Sequence, residues 1–319
     1  MMDKLASIGF YTLRDERART SSVSSPLHRC ELLLTSRCNF NCPYCRKRAG
    51  PDIDQSLASA IVLAWMNEGL KNIRFSGGEP TLYKPIFDLI YIARRGRAEH
   101  IAISTNGSAS QETYEHLLTA GVNDFSVSLD ACCSATGDTM SGVQGHWKQV
   151  IQNIQFLAAR TYTTVGIVLT DANVREARET ILLAESLGVS DIRIIPAAQV
   201  ASVLPSLDLP KSLLGKYPIL KYRISSYRPV RGLFPCDNPR CPLVLDDMAM
   251  DENGFHYPCI IYMRERGSPI GQFNGDIRQV RDDRLRWSEE HDCFSDPICK
   301  GNCLDVCIAY NNRWRELRT

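Results

Sequence analysis

Six short apolar runs alternate with longer amphipathic stretches between residues 31 and 197. The runs are ELLLTS (31–36), NIRFS (72–76), HIAIS (100–104), DFSVSL (124–129), TVGIVL (164–169) and DIRIIPA (191–197). Their content of Ile, Val, Leu and Phe is typical of buried parallel strands. Six βα units in series predict a parallel sheet with right-handed crossovers. Because no seventh or eighth unit follows, we predict an α/β fold, a partial (β/α)6 TIM-type barrel with its active site at the C-terminal ends of the strands.

Charge and cysteine content narrow the classes of function. The 319 residues include 37 basic and 36 acidic side chains, and this balance gives no support for broad binding to nucleic acid or to an anionic membrane. No apolar run approaches the ~18 residues that cross a bilayer, and no secretory signal is recognised, so we expect a cytoplasmic protein. An odd number of cysteines, 13, then favours metal ligation over a disulfide framework.

Three cysteines, Cys38, Cys42 and Cys45, directly follow the first predicted strand. Three thiolates within eight residues can hold three irons of a [4Fe–4S] cubane and leave the fourth iron without a protein ligand. The alternative is a zinc knuckle or a set of buried thiols, although zinc usually takes a fourth donor. The spacing therefore predicts a soft-metal site at the mouth of the barrel.

Polar motifs end the next three predicted strands. They are Ser76-Gly77-Gly78-Glu79-Pro80 on the second, Ser104-Thr105-Asn106-Gly107 on the third, and Ser126, Ser128 and Asp130 on the fourth. The paired glycines allow a close approach of backbone to a ligand, and Glu79 offers a carboxylate to an amino group. Because the C-terminal ends of parallel strands face one mouth, these motifs and the cysteines are expected to form one site.

Together these motifs resemble those of the radical S-adenosylmethionine (SAM) superfamily over residues 31 to about 197. The resemblance implies a [4Fe–4S] cluster on Cys38, Cys42 and Cys45 whose open iron binds the amino and carboxylate groups of SAM. It also implies contacts to three parts of SAM: the amino group at Gly77, Gly78 and Glu79, the ribose or carboxylate at Ser104, Asn106 and Ser128, and adenine at Tyr44, Ile195 and Pro196. The implied chemistry is reductive cleavage of SAM to methionine and a 5′-deoxyadenosyl radical, which abstracts a substrate hydrogen atom.

Seven further cysteines crowd the last third of the chain: Cys236, Cys241, Cys259, Cys293, Cys299, Cys303 and Cys307. The turn signal DENG at 251–254 predicts a hairpin between the second and third of them. A structural zinc site held by four cysteines is the alternative to an iron–sulfur site.

This region resembles the auxiliary-cluster region, called SPASM or in its shortened form twitch, of some radical SAM enzymes. The resemblance implies an inner auxiliary cluster on Cys236, Cys241, Cys259 and Cys303, with Cys293, Cys299 and Cys307 serving an outer one. Glu290 replaces the usual first cysteine of the C-x2-C-x5-C run, so the region is one thiol short of two all-cysteine [4Fe–4S] clusters. The sequence is compatible with one or two auxiliary clusters.

The chain is expected to have four segments. They are an N-terminal extension (1–30), the radical SAM partial barrel (31–199), a linker rich in Pro and Ser (200–234) and a small cysteine-rich auxiliary-cluster domain (235–319). Cys30 matches no motif and is interpreted as a buried structural thiol. The Cys132–Cys133 pair also matches no motif, and its position near the mouth leaves a catalytic role open.

The leading hypothesis is a radical SAM enzyme that oxidises, epimerises or crosslinks a small molecule or a peptide with help from auxiliary clusters. About 30 residues precede the first strand, too few for a peptide-recognition domain, which favours a small molecule or a peptide recognised without one. The expected electron donor is a reductase or flavodoxin-type protein. The alternatives are a nucleotide-cyclising enzyme resembling the molybdenum-cofactor GTP cyclase, whose three C-terminal cysteines and Gly-Gly tail differ from this chain, and a non-catalytic iron–sulfur or zinc protein.

Overall fold

A computed structural model describes residues 4–12, 15–196, 207, 209–226 and 240–303 of the chain. Within these residues, nine strands form a single sheet. They are β1 (Arg29–Thr35), β2 (Asn72–Gly77), β3 (His100–Thr105), β4 (Asp124–Ser128), β5 (Tyr162–Leu169), β6 (Asp191–Pro196), β7 (Asp247–Met250), β8 (Phe255–Tyr257) and β9 (Gly271–Gln272). The six predicted strands correspond to β1–β6, with bounds that differ by at most two residues.

The sheet is open. Its strand order is β6-β5-β4-β3-β2-β1-β7-β8-β9, so β6 and β9 are edges that do not pair with each other. Strands β1 to β6 pair in parallel throughout, as βα units with helical crossovers require. This topology confirms the predicted partial barrel.

Helices connect the strands of the barrel and continue into the C-terminal region. In the described residues they are α1 (Lys4–Ser7), α2 (Gln55–Asn67), α3 (Ile86–Arg95), α4 (Gln111–Ala120), α5 (Ser134–Ser141), α6 (Trp147–Ala158), α7 (Ala177–Ser186), α8 (Lys211–Lys216), α9 (Pro218–Ser226), α10 (Ile260–Arg264), α11 (Ile277–Glu290) and α12 (Pro297–Asn302). Asp54 caps α2 and Ser110 caps α4 by accepting hydrogen bonds from backbone N–H groups of the first turn. None of the helices described here combines the length and apolarity needed to cross a membrane.

The two faces of β1–β6 differ in polarity because successive side chains of a strand point to opposite sides. One face packs into the hydrophobic core with residues that are 2% exposed or less: Ile73, Phe75, Ile101, Ile103, Phe125, Val127, Val165, Ile167, Ile192 and Ile194. The other face lines a cavity with Arg74, Ser76, Ser104, Ser126, Ser128 and Arg193. Apolar burial on the outer face stabilises the sheet, and the interior is left polar.

The C-terminal region continues the barrel sheet. Strand β7 pairs in parallel with β1, and β7 and β8 form the predicted hairpin. The fully buried Arg284 of α11 fastens this extension: its Nε donates to the carbonyl of Val244 at 2.6 Å, Nη2 to that of Asp247 at 2.6 Å, and Nη1 to that of Tyr257 at 2.9 Å. These bonds satisfy the N–H groups of a cation whose burial would otherwise be costly.

Some sequence predictions fall on residues outside this description. Cys236 and Cys307 lie outside it, as do residues 200–206, 208 and 227–234 of the predicted linker and the side chain of Pro196. The described part of the linker contains α8 and α9, of which α9 packs against β6.

Candidate functional site

A cavity of about 840 Å³ extends from the C-terminal ends of β1–β6 into the barrel. Its volume lies in the range of small-molecule and cofactor sites. Cys38, Cys42 and Cys45 line it. So do seven of the predicted SAM contacts: Tyr44, Gly77, Gly78, Ser104, Asn106, Ser128 and Ile195. The structure thus brings the first cysteine group and the strand-end motifs to one cavity.

The three thiols stand on the loop that follows β1. Cys38 Sγ accepts hydrogen bonds from the backbone N–H of Phe40 at 3.4 Å and from Asn106 Nδ2 at 3.8 Å. Burial raises the pKa of Cys42 to about 11, and charge at the neighbouring Cys45 and Cys38 acts in the same direction. A raised pKa means that a thiol ionises only at a free-energy cost. A bound metal cation stabilises the thiolates and removes that cost, so this group of thiols suits a soft metal.

Tyr44 is fixed against the wall of the cavity. Its hydroxyl donates to the Asp130 carboxylate, which also accepts the backbone N–H of Val168 at 2.6 Å. Burial raises the pKa of Asp130 to about 6, with the bonds from Tyr44 and Val168 opposing that rise. The side chain of Asp130 therefore joins the cysteine loop to β4 and β5 and holds the Tyr44 ring at the cavity.

Gly77 and Gly78 let the ends of β1 and β2 approach closely. Gly77 has a φ of +149°, and a Cβ there would lie 2.4 Å from the Thr35 carbonyl oxygen. A Cβ on Gly78 would lie 2.1 Å from the Arg37 carbonyl oxygen. Any side chain at these positions would displace the strand that leads into the cysteine loop.

Glu79, for which the resemblance implies a contact to the SAM amino group, makes hydrogen bonds within the protein. Its side chain is fully buried and is absent from the cavity lining. One carboxylate oxygen accepts the N–H and hydroxyl of Thr81 and the hydroxyl of Thr105, and the other accepts the N–H of Asn106 at 2.7 Å. Burial raises the pKa of Glu79, and these hydrogen bonds oppose the rise. Both oxygens are used inside the protein, so Glu79 positions the Asn106 loop.

The three predicted ribose or carboxylate contacts lie at two depths. Asn106 and Ser128 stand at the strand ends, and Asn106 Nδ2 donates to Asn39 Oδ1 at 2.8 Å. Ser104 lies two residues deeper on β3, where its hydroxyl accepts a hydrogen bond from Arg74 Nη1 at 3.1 Å. Ser104 is therefore part of the floor of the cavity.

The arginines that line the cavity were not predicted from the sequence, and two of them bind serines on its floor. Arg74 on β2 and Arg193 on β6 line it, and the Arg193 Nη2 donates to Ser126 Oγ at 2.8 Å. The alternation of side chains along a strand could have predicted them. Arg74 lies two positions before Ser76 and Arg193 two positions before Ile195, so each arginine faces the cavity like its neighbour.

The C-terminal cysteines that the structure describes converge. Cys293 forms sulfur hydrogen bonds with Cys241 and Cys299, and charge at Cys241 contributes to the raised pKa of the partly buried Cys259. Potential ligand atoms of His291, Cys293 and Cys299 lie within 4.8 Å of one another. The structure thus groups Cys293 and Cys299 with Cys241, although the resemblance assigned them to different clusters.

The remaining cysteines occupy two environments. Cys30 is fully buried in the core, in line with its predicted structural role. Cys132 and Cys133 lie beside Glu176, with ligand atoms within 4.8 Å of one another.

Comparison with known proteins agrees with this geometry. The family model of the Radical SAM superfamily matches residues 32–184. A probable GTP 3′,8-cyclase of Metallosphaera sedula is 27% identical over 181 residues, which cover 53% of this chain and 56% of that protein. The GTP 3′,8-cyclase of Syntrophomonas wolfei is 36% identical over 106 residues, 31% of this chain and 32% of that protein. The chain thus spans about half the length of the first of these curated relatives, and less of the second.

Solved structures share the fold over more of the chain. Streptococcus suis SuiB bound to S-adenosylmethionine aligns with a TM-score of 0.60 and 16% identity, covering 90% of this chain and 70% of SuiB. Native anSMEcpe with bound AdoMet aligns with a TM-score of 0.59 and 15% identity, covering 88% of each chain. At this level of identity the similarity is one of fold.

The matched residues 32–184 run from β1 through α7 and include the cysteine loop and the GGEP and STNG motifs. The same span builds most of the cavity wall on which the three thiols stand. Residues 32–184 thus form a Radical SAM domain, and the cysteine loop and the strand-end motifs lie within it.

Proposed function

We propose that this enzyme cleaves SAM reductively at a [4Fe–4S] cluster held by Cys38, Cys42 and Cys45 and then abstracts a hydrogen atom from a small-molecule or peptide substrate. The observation that carries the proposal is the placement of these three thiols on the wall of a cavity of about 840 Å³. When bound, the cluster would supply the electron that breaks the sulfonium bond of SAM and gives a 5′-deoxyadenosyl radical.

The protein residues in this proposal bind and orient SAM. Gly77 and Gly78 present backbone to its amino group at the close approach of β1 and β2. Asn106 and Ser128 offer polar groups at the strand ends, and Tyr44 and Ile195 border adenine. The Asp130 contact fixes Tyr44 before SAM arrives, so little side-chain entropy is lost on binding.

We further propose at least one auxiliary [4Fe–4S] cluster in the C-terminal region. Four described thiols support it, because Cys293 lies against Cys241 and Cys299, and Cys241 in turn lies near Cys259. Four thiolates complete the coordination of one cubane. Cys303, together with Cys236 and Cys307 outside the described residues, would be available to a second cluster.

A SAM-cleavage assay tests the central proposal. Anaerobically reconstituted protein with dithionite is expected to release 5′-deoxyadenosine and methionine from SAM, and a flavodoxin-type donor should replace dithionite. The Cys38→Ala/Cys42→Ala/Cys45→Ala variant should release neither, whereas the matched control Cys133→Ala, which changes an exposed thiol, should behave as wild type. SAM cleavage by the triple variant would overturn the cluster assignment, and no cleavage by wild type would favour a non-catalytic iron–sulfur or zinc protein.

A second candidate function is cyclisation of GTP. The observation that favours it is the sequence similarity of the barrel to GTP 3′,8-cyclases. The shared fold of SuiB, which has been solved bound to its precursor peptide SuiA, favours a peptide substrate instead. Mass spectrometry of reactions with GTP distinguishes them: an isomer of GTP that forms only with SAM and reductant would establish the cyclase, and unchanged GTP would remove it.

A further inference from the structure

The floor of the cavity carries two guanidinium groups beside two hydroxyl groups. Ser104 on β3 and Ser126 on β4 are register partners. Arg74 Nη1 donates to Ser104 Oγ at 3.1 Å, and Arg193 Nη2 donates to Ser126 Oγ at 2.8 Å. The side chains of β2, β3, β4 and β6 thus converge on one patch, which we call the arginine floor (Arg74, Ser104, Ser126 and Arg193).

Charge on this floor is only partly compensated. Arg74 forms a salt bridge to Asp124 at 3.1 Å. Among the residues that the structure describes, Arg193 forms no salt bridge, and its buried Nε has no hydrogen-bond partner. Arg223 lines the same cavity. Burial, followed by the charges of Arg74 and Arg223, lowers the pKa of Arg193 to about 9, and the charge of Glu31 in the same cavity opposes this, so Arg193 is a cation at neutral pH.

The side chain of Arg193 passes over Gly166 of β5 on its way to β4, since a Cβ built on Gly166 would lie 3.5 Å from Arg193 Nη2, in ordinary van der Waals contact. A buried arginine that lacks an acidic partner costs free energy, and such a group is normally paired.

We propose that the arginine floor is a subsite for an oxyanion of the substrate, either a carboxylate or a phosphate, held by Arg193 and Arg74. Guanidinium groups bind both oxyanions through paired N–H donors, and the two serine hydroxyls can donate as well. This inference rests on the proposed function, because it places the substrate in the cavity of the SAM-cleaving site.

The subsite lies below the proposed SAM contacts. Arg193 is two residues before Ile195 on β6, and Ser126 is two residues before Ser128 on β4. Two residues of a strand span about 6–7 Å. A substrate anchored by its anionic group at the floor would therefore extend upward toward SAM at the mouth, with the hydrogen-bearing carbon between the two.

Calorimetric titration of the reconstituted, SAM-saturated enzyme tests this proposal. Inorganic phosphate is the titrant in one arm and succinate in the other, and the arm that binds more tightly identifies the oxyanion. We expect one site per chain, with affinity at least tenfold weaker in Arg193→Gln and intermediate in Arg193→Lys. The control Arg160→Gln changes an exposed arginine that stacks on Phe156, and its affinity should stay within twofold of wild type.

The subsite would be overturned if wild type bound neither anion, or if Arg193→Gln bound the anions as tightly as wild type does. A parallel tenfold loss of SAM affinity in Arg193→Gln would also overturn it, because Arg193 would then be a ligand of the SAM carboxylate. Protection of Arg193 from phenylglyoxal by the anions, mapped in wild type by mass spectrometry, tests the same point should the variant fail to fold; modification that neither anion slows would also overturn it. Wild type that cleaves SAM but binds neither anion refutes only this inference, whereas wild type that does not cleave SAM refutes the proposed function.

Discussion

At the scale of single residues, the buried carboxylate of Glu79 joins the loops that follow β2 and β3. Glu79→Ala would leave the backbone N–H groups of Asn106 and Thr81 without acceptors. We expect the free energy of unfolding to fall by about 1–3 kcal/mol, the cost of unpaired buried donors. SAM affinity should fall as well, because the Asn106 loop shifts, and the iron content should stay unchanged. Chemical denaturation and equilibrium SAM binding measure the two effects.

The matched control for Glu79→Ala is Glu112→Ala, which removes an exposed carboxylate from the first turn of α4. A surface change of this kind should alter stability by less than about 0.5 kcal/mol. If Glu79→Ala loses SAM binding with no loss of stability, Glu79 contacts SAM directly and its positioning role is wrong.

Gly78 gives a second prediction at this scale. In Gly78→Ala the new Cβ would lie 2.1 Å from the Arg37 carbonyl oxygen, so the backbone entering the cysteine loop must move. We expect a lower midpoint of thermal unfolding and poor retention of the visible iron–sulfur chromophore. Gly215→Ala is the control, since a Cβ at Gly215 of α8 meets no atom within 4 Å, and it should leave the chromophore unchanged and should not lower the midpoint. Wild-type behaviour of Gly78→Ala would contradict the close approach.

The order of the motifs in the sequence was enough to predict that the cysteines and the strand-end residues line one cavity, because the strand ends of a parallel sheet share one mouth. It could not give the orientation of Glu79, since burial of a carboxylate depends on which loop covers it. The same limit applies to Arg193, whose guanidinium reaches across Gly166 to Ser126. That reach depends on strand register, which single-strand patterns do not contain.

At the scale of elements, Asp191 ties β6 to α9. Its carboxylate accepts the backbone N–H groups of Ile219 at 3.1 Å and Leu220 at 3.4 Å in the first turn of α9, and of Ile192 at 2.8 Å. Burial raises the pKa of Asp191 to about 6, and these hydrogen bonds oppose the rise. The linker segment is thereby attached to the barrel edge through one titratable group.

This arrangement predicts a pH-dependent stability. The folded state keeps the proton of Asp191 to a higher pH than the unfolded chain does. The contribution of this proton to the free energy of unfolding is therefore full below about pH 4 and is lost as the pH rises through 6. Asp191→Asn removes that titration. The free energy of unfolding of the variant relative to wild type should therefore rise by about 1 kcal/mol between pH 5 and pH 8. Urea denaturation across that range measures it, and a difference independent of pH would contradict the raised pKa.

Local patterns predicted the six barrel strands within two residues, because apolar alternation and helix spacing are properties of short segments. They also predicted the β7–β8 hairpin from its turn. They could not predict that β7 pairs with β1, since the two strands are more than 200 residues apart and β7 has only four residues. Buried Arg284, which binds carbonyls on both sides of the hairpin, stabilises that long-range pairing.

At the scale of the whole molecule, the open sheet connects two groups of thiols. One group stands at the barrel mouth after β1, and the other lies around β8, α10 and α12, which follow the strand paired with β1. The sequence located both groups from cysteine spacing. It could not assign the second group to clusters, because ligands of one cluster are set by folding of segments that are far apart in the chain, as Cys241 and Cys293 are.

Iron counting tests that assignment. If Cys241 and Cys293 bind the same auxiliary cubane, Cys241→Ala and Cys293→Ala should each lose about four irons on reconstitution, at four irons per [4Fe–4S]. The double variant should then lose no more than either single variant, because the second substitution acts on a cluster already absent. Ligands of two different clusters would instead give a loss of about eight irons in the double variant. Cys133→Ser should lose none, and zinc in place of iron at the C-terminal site would leave the iron content of all three variants equal to that of wild type.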